Sequence, residues 1–179
     1  MTTMQENISP VEKVILKAQA DKDSVGKMMD NAQNIRMDAM GKMQQGDVES
    51  GRMMFRKYGL ISEGIAVLYP KLEKKDQYSI GALTGEFLLD AAYGFMMAQD
   101  YGRAFDCVDG ASEAFAKDAI LNSADPNKSM HDSAYVASEC IELGERCEIL
   151  KSELRDVKYA RGEDELGKVI SAFEKVLRA

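Results

Sequence analysis

A single histidine, no tryptophan, three prolines and three cysteines leave few routes to side-chain chemistry in this 179-residue chain. Histidine-based zinc sites and di-iron helical bundles need several ligands at defined spacing, and no Glu-x-x-His pair occurs. His131 follows a polar stretch and reads as a surface residue at a helix start rather than a catalytic base. Three cysteines do not make a disulfide framework; Cys140 and Cys147, seven apart, share a face only if a helix runs straight through Gly144. The Gly-x-x-x-x-Gly-Lys-Ser/Thr phosphate loop and the EF-hand spacing are both missing. No cofactor and no metal are expected, and the chain reads as non-enzymatic. A run of about 18 apolar residues is also missing, so no membrane span is expected. Met1 to Asn7 lack the basic and apolar regions of a signal peptide, which leads to the expectation of a cytoplasmic protein with reduced thiols.

What is present is acidic and rich in methionine. Lys and Arg number 23 against 30 Asp and Glu, a formal charge of −7 that repels phosphate backbones and argues against nucleic acid as a partner. The twelve methionines are an excess, and methionine adapts its shape to irregular or variable contacts. With 45% hydrophobic residues and no low-complexity tract, the chain is expected to fold as one domain over 1–179.

The apolar spacing is helical throughout, and no strand-like alternation stands out. Ser9-Pro10-Val11-Glu12 is a capping signal that opens a long helix over 10–45. Val11, Val14, Ala18, Val25, Met28, Ala32, Ile35 and Ala39 recur along it at heptad spacing, widened by Ile15, Met29 and Met43. Such a stripe must be buried, either against the rest of the chain or in a homodimer seam centred on Val25, Met28, Ala32 and Ile35. Gly46 ends this helix and Asp47 can cap the next. A short helix over 48–57 is expected to break at Tyr58-Gly59 and a second to start near 61, with Pro70 kinking or ending it. Residues 78–98 and 101–121 read as a helical hairpin, and Asn122 to Lys128 as the clearest loop. Residues 129–160 are helical, either as one unbroken helix or as two divided at Gly144, and 163–178 form a last amphipathic helix.

The stretch 85–118 carries the most specific signal. Leu88, Ala92, Phe95, Ala104 and Ala111 alternate large with small, and Tyr101 stands at the aromatic position of the turn Gln99-Asp100-Tyr101. Alanines at 92 and 104 let two helices touch while Leu88, Phe95 and Tyr101 fill the wedge between them. This pattern resembles a tetratricopeptide (TPR) hairpin, with Ala116 where a proline commonly closes the repeat and Val108 in place of a usual aromatic. The resemblance implies an all-α fold: a long N-terminal helix, about three antiparallel TPR-like hairpins over 48–160, and a C-terminal capping helix. It also implies a concave face lined by the first helix of each hairpin. Leu89, Tyr93, Met96 and Met97 would face a partner there, followed by His131, Ala134, Ser138 and Ile141; alternatively, Tyr93, Met96 and Met97 are buried against the N-terminal helix. The layout is also similar to the small TPR chaperones of bacterial secretion. The expected activity is that of an adaptor or chaperone holding an apolar helix or extended segment of a partner protein. The alternative is a helical structural subunit that self-assembles through the 11–43 stripe.

Overall fold

The computed structural model describes residues 22–71, 82–123, 130–159 and 170–171. Five α-helices account for nearly all of them: α1 (Lys22–Gln44), α2 (Val48–Leu68), α3 (Ala82–Met97), α4 (Tyr101–Ser123) and α5 (Met130–Tyr159). A single 3₁₀ turn, Tyr69–Lys71, follows α2. The helices pack antiparallel in chain order, each on its sequence neighbours, with only slight contact beyond those pairs. The helix start at Ser9-Pro10, the stripe residues Val11, Val14 and Ala18, and all of the final helix over 163–178 but the helical Ile170 and Ser171 lie outside the described residues.

Two sharp turns are built by the same backbone device. At the end of α1 the Asp47 N–H donates to the Lys42 carbonyl (3.0 Å) and the Gly46 N–H to that of Met43 (3.1 Å), with Gly46 at φ 82°. At the end of α3 the Asp100 N–H donates to the Phe95 carbonyl (2.8 Å) and the Gln99 N–H to that of Met96 (2.9 Å), with Gln99 at φ 63°. Both are Schellman closures, which satisfy carbonyls that the helix leaves orphaned. Asp47 then caps α2 by accepting the Ser50 N–H at 3.3 Å. Pro70 stands where α2 gives way to the 3₁₀ turn, as a residue without an N–H should.

The helix break expected at Tyr58-Gly59 is not there, and of the two readings open for 129–160 the undivided one holds. Helix α2 runs unbroken through Tyr58-Gly59, and α5 runs unbroken for 30 residues through Gly144. Residues 48–68 are therefore one helix and 130–159 another, so of the three expected hairpins only the one made by α3 and α4 is present as read. Gly59 is used for contact. A Cβ on its neighbour Gly94 would lie 2.7 Å from the Gly59 nitrogen, 2.8 Å from its Cα and 2.8 Å from the Phe55 carbonyl, so α2 and α3 cross backbone against backbone. Gly144, by contrast, has open space where a Cβ would go and is simply carried by a helix anchored on both sides of it.

The core gathers around that crossing. Phe55 of α2, Phe95 of α3 and Phe115 of α4 are fully buried, and the Phe55 and Tyr93 rings meet edge to face with centroids 5.8 Å apart. Ala91, Ala92, Ala104 and Ala111 are wholly enclosed and hold α3 close to its neighbours. In α5 the unbroken helix brings Cys140, Cys147, Leu150 and Leu154 onto one buried side that packs on α4. Lys151 bridges Asp109 of α4 (2.5 Å) and Glu148 of its own helix (2.9 Å) beside it.

These two glycines predict opposite outcomes for the same substitution. Gly94→Ala drives a methyl into the α2 backbone and should cost about 1–3 kcal/mol of folding stability. Gly144→Ala meets nothing and should gain up to about 1 kcal/mol from helix propensity. Urea unfolding of both variants measures the difference; equal effects would contradict the tight crossing.

Candidate functional site

The side chains expected to line a partner groove do not share one surface. Leu89, Tyr93 and Met96 are 2%, 4% and 1% exposed, enclosed by α2 and α4 on either side of α3, and Met97 is half-buried. Their burial follows from the composition of α3, which is apolar nearly all round and so must be covered on several sides. Ile141 is exposed on α5, well away from the α3 set in chain packing order. His131 and Ala134 fall in the first turns of α5, where the side chains lie outside the described residues. The seam residues Val25, Ala32 and Ile35 are buried where α1 packs along α2, and Met28 is half-buried beside them. Within this packing the described part of the heptad stripe, from Val25 to Ala39, is spent inside the chain.

What the structure brings together instead is an aromatic and charged cluster spanning α1, α2 and α3. The Arg36 guanidinium of α1 lies 5.2 Å from the ring centroid of Tyr93 on α3 and 5.9 Å from that of Tyr58 on α2. Its Nη1 stands 3.9 Å from Oδ1 of Asp90, one turn before Tyr93. Asp90 also accepts a hydrogen bond from the Tyr58 hydroxyl, and burial pushes its carboxyl above the ordinary range despite both partners. The Tyr58 phenol is raised as well, first by burial and then by the adjacent Asp90. A second arginine mirrors the arrangement on the other side of α3. Arg103 of α4 stacks 4.6 Å from the Phe95 centroid and its Nη2 donates to Oε2 of Glu63 on α2 at 2.7 Å. Arg155 of α5 stands over Phe105 of α4 at 5.2 Å. The α1–α2, α3–α4 and α4–α5 interfaces thus each carry a planar cation near a ring, a geometry that lysine would not reproduce.

No sequence signal had singled out Arg36, Asp90 or Tyr58. Arg36 lies on the flank of the heptad stripe, next to Ile35, and only the packing of α2 and α3 gives it partners.

One concave apolar feature lies elsewhere. An open cleft of about 490 Å³ runs between the Tyr69-Pro70 turn, α3 and α4, lined by Tyr69, Pro70, Leu88, Ala114 and Leu121, with Lys117 and Asp118 at its wall. Leu121 and its neighbour Ile120 are exposed at its end. Among the described residues no three His, Cys, Asp or Glu side chains are grouped to hold a metal ion, and no helix is long and apolar enough to cross a membrane.

All three cysteines are buried and unbridged, and burial pushes the Cys107 and Cys147 thiols up to about 12. A thiol held protonated is a poor nucleophile. The folded protein should therefore react negligibly with a disulfide reagent at neutral pH and expose its 3 cysteines only on denaturation, as a colorimetric thiol titration would record. One fast-reacting thiol in the native state would contradict the packing.

The carboxyls of Glu63, Glu86, Asp90 and Asp118 are all raised, burial being the leading cause for each. Near Glu86, the charges of Glu139 and Asp90 add to the effect. A carboxyl whose folded value is raised binds its proton more tightly in the fold than in the unfolded chain. Its stabilising contribution is complete below the ordinary carboxylate value and is lost as pH rises through the raised one. Asp47 and Glu148, held low by hydrogen bonds led by those from Ser50 and Lys151 respectively, act the other way, but only below the ordinary value. Melting temperature should accordingly rise as pH is lowered from about 7.5 to about 5, and Asp90→Asn should reduce that rise. A flat or falling profile in calorimetry would contradict this.

Comparison of the chain with protein-family models, with curated proteins and with solved structures gave no match.

Proposed function

We propose that this chain is a non-enzymatic protein-interaction module, an adaptor or chaperone that holds an apolar amphipathic helix of a partner protein. The observation that carries the reading is the way α2 and α3 already receive such a helix. The Tyr58 and Tyr93 rings and the Asp90 carboxylate form one surface, and α1 lies against α2 beside it, with small apolar residues turned inward and one arginine laid over the rings. A face that takes an amphipathic helix from its own chain has the shape and chemistry to take one from another protein. Methionine supports the same reading. Met29, Met37, Met40 and Met53 are exposed on α1 and α2, and such side chains re-pack around different shapes. On this view the α3–α4 hairpin is the TPR-like unit of the chain, and its first helix provides part of the partner face.

Affinity purification of the tagged full chain from its native cells, followed by cross-linking and mass spectrometry, tests the proposal. The expected result is a foreign protein at defined stoichiometry whose cross-links fall between an amphipathic helix of that protein and α2 or α3. Recovery of the chain alone as a discrete oligomer would overturn it in favour of a self-assembling subunit.

A further inference from the structure

Helix α1 is held differently from the helices it covers. Among the described residues its packing is almost wholly on α2, whereas α2, α3 and α4 each have a neighbour on both sides. The side chains it buries completely are Val25, Ala32, Ile35 and Ala39, two of them alanines, while α3 buries Phe87, Leu89, Tyr93, Phe95 and Met96 along with its alanines. Alanine contributes little burial, so α1 fully buries fewer large side chains than α3, with Met28 and Met43 half-buried beside them. The free energy needed to open a segment locally follows such differences, and among the described helices one with a single neighbour and small buried side chains opens early.

Two further features make the opening of α1 selective. The chain leaves α1 through Gln45-Gly46-Asp47, where Gly46 sits at φ 82° and Asp47 starts α2 with its own cap, so α2 keeps its N-terminus whether or not α1 is in place. The polar contact of α1 with α3 is made by Arg36, half-buried against Asp90, Tyr58 and Tyr93. Removing α1 would take the guanidinium from the Tyr58 and Tyr93 rings and leave Asp90 without its cation. That surface asks for an amphipathic helix with small apolar residues at three- and four-residue spacing and a planar cation on its flank.

We infer that α1 is a displaceable intramolecular occupant of the α2–α3 face: it covers the site in the resting chain and gives way to a partner helix of the same chemistry, with Arg36 as the latch. This rests on the reading of that face as a helix-binding site. Occupation in cis lowers the apparent affinity for any helix in trans by the fraction of time that α1 is away. Loosening the latch in cis therefore tightens binding in trans, the opposite of what loss of a contact residue does.

The test uses a fluorescent peptide of residues 22–44 with the full-length chain. Arg36→Ala in the chain, with the unaltered peptide, should bind the peptide about tenfold more tightly than the wild-type chain does. Adding Asp90→Ala to that chain should remove the gain, because the arginine of the incoming peptide then has no carboxylate. Hydrogen exchange should show α1 amides opening before those of α3 in the wild-type chain. If Arg36→Ala does not fold, Arg36→Lys keeps the charge without the planar stacking and should show the same change at smaller size. Equal peptide binding by wild-type and latch variants, with α1 amides as protected as those of α3, would overturn the inference. A foreign partner cross-linked to another surface would leave the interaction reading standing while the latch fails. Peptide exchange in the absence of any foreign partner would establish the latch and count against the adaptor.

Discussion

The close crossing of α2 and α3 at Gly59 and Gly94 is the constraint on which the other contacts depend. With no side chain at either position the two backbones touch, and a Cβ at residue 94 would fall within 2.8 Å of backbone atoms of α2. That approach sets the Phe55 and Tyr93 rings edge to face, and it brings Tyr58 and Tyr93 close enough for one guanidinium to lie near both. Separate the helices by a methyl group and Arg36 would have to choose between rings. The cluster that ties three helices together exists because two glycines allow two of those helices to meet.

Charge at these interfaces is placed where it is half-buried, and this shapes how the protein responds to acid. Asp90 and Glu63 each face an arginine, yet both carboxyls stay above the ordinary range because the loss of water outweighs the nearby positive charge. Paired charges taken from water return less than their proximity suggests. Their role is better described as orienting the helices than as stabilising them. An arginine stacked on a ring and directed at one carboxylate admits few rotational registers of the helix that carries it. The same arrangement recurs around Arg103 with Phe95 and Glu63, so α3 is indexed from both sides.

Much of the local architecture was legible in the sequence, and the reason differs with each element. The turn at Gln99-Asp100-Tyr101 could be read because small residues at 92, 104 and 111 alternate with Leu88, Phe95 and Tyr101, a pattern that only an antiparallel helix pair uses efficiently. The Asp47 cap and the Pro70 stop depend on backbone donors within a few residues, which are independent of the rest of the fold. Gly59 misled, and Gly144 left two readings open, for a common reason. A glycine in a helix costs up to about 1 kcal/mol of propensity whatever its surroundings, and a sequence shows that cost without the packing that offsets it. Gly46 carries the same penalty and does end its helix, because it takes the positive φ of 82° that the Schellman closure needs.

The candidate site was less legible. Tyr93 was singled out for a partner face, but the structure buries it in a cluster with Asp90, Arg36 and Tyr58, the last two lying 57 and 35 residues earlier in the chain. Periodicity reports which face of a helix is apolar; it does not report which helix will cover that face. By itself the sequence determined the helical class, the positions of the short-range caps and turns, and the α3–α4 hairpin, because each follows from contacts within a turn or between adjacent helices. Only the tertiary structure decided that α2 and α5 run unbroken, that the heptad stripe of α1 is spent within the chain, and that Leu89, Tyr93 and Met96 turn into the core. Those outcomes depend on how much surface distant helices remove from water, and no local pattern records that sum.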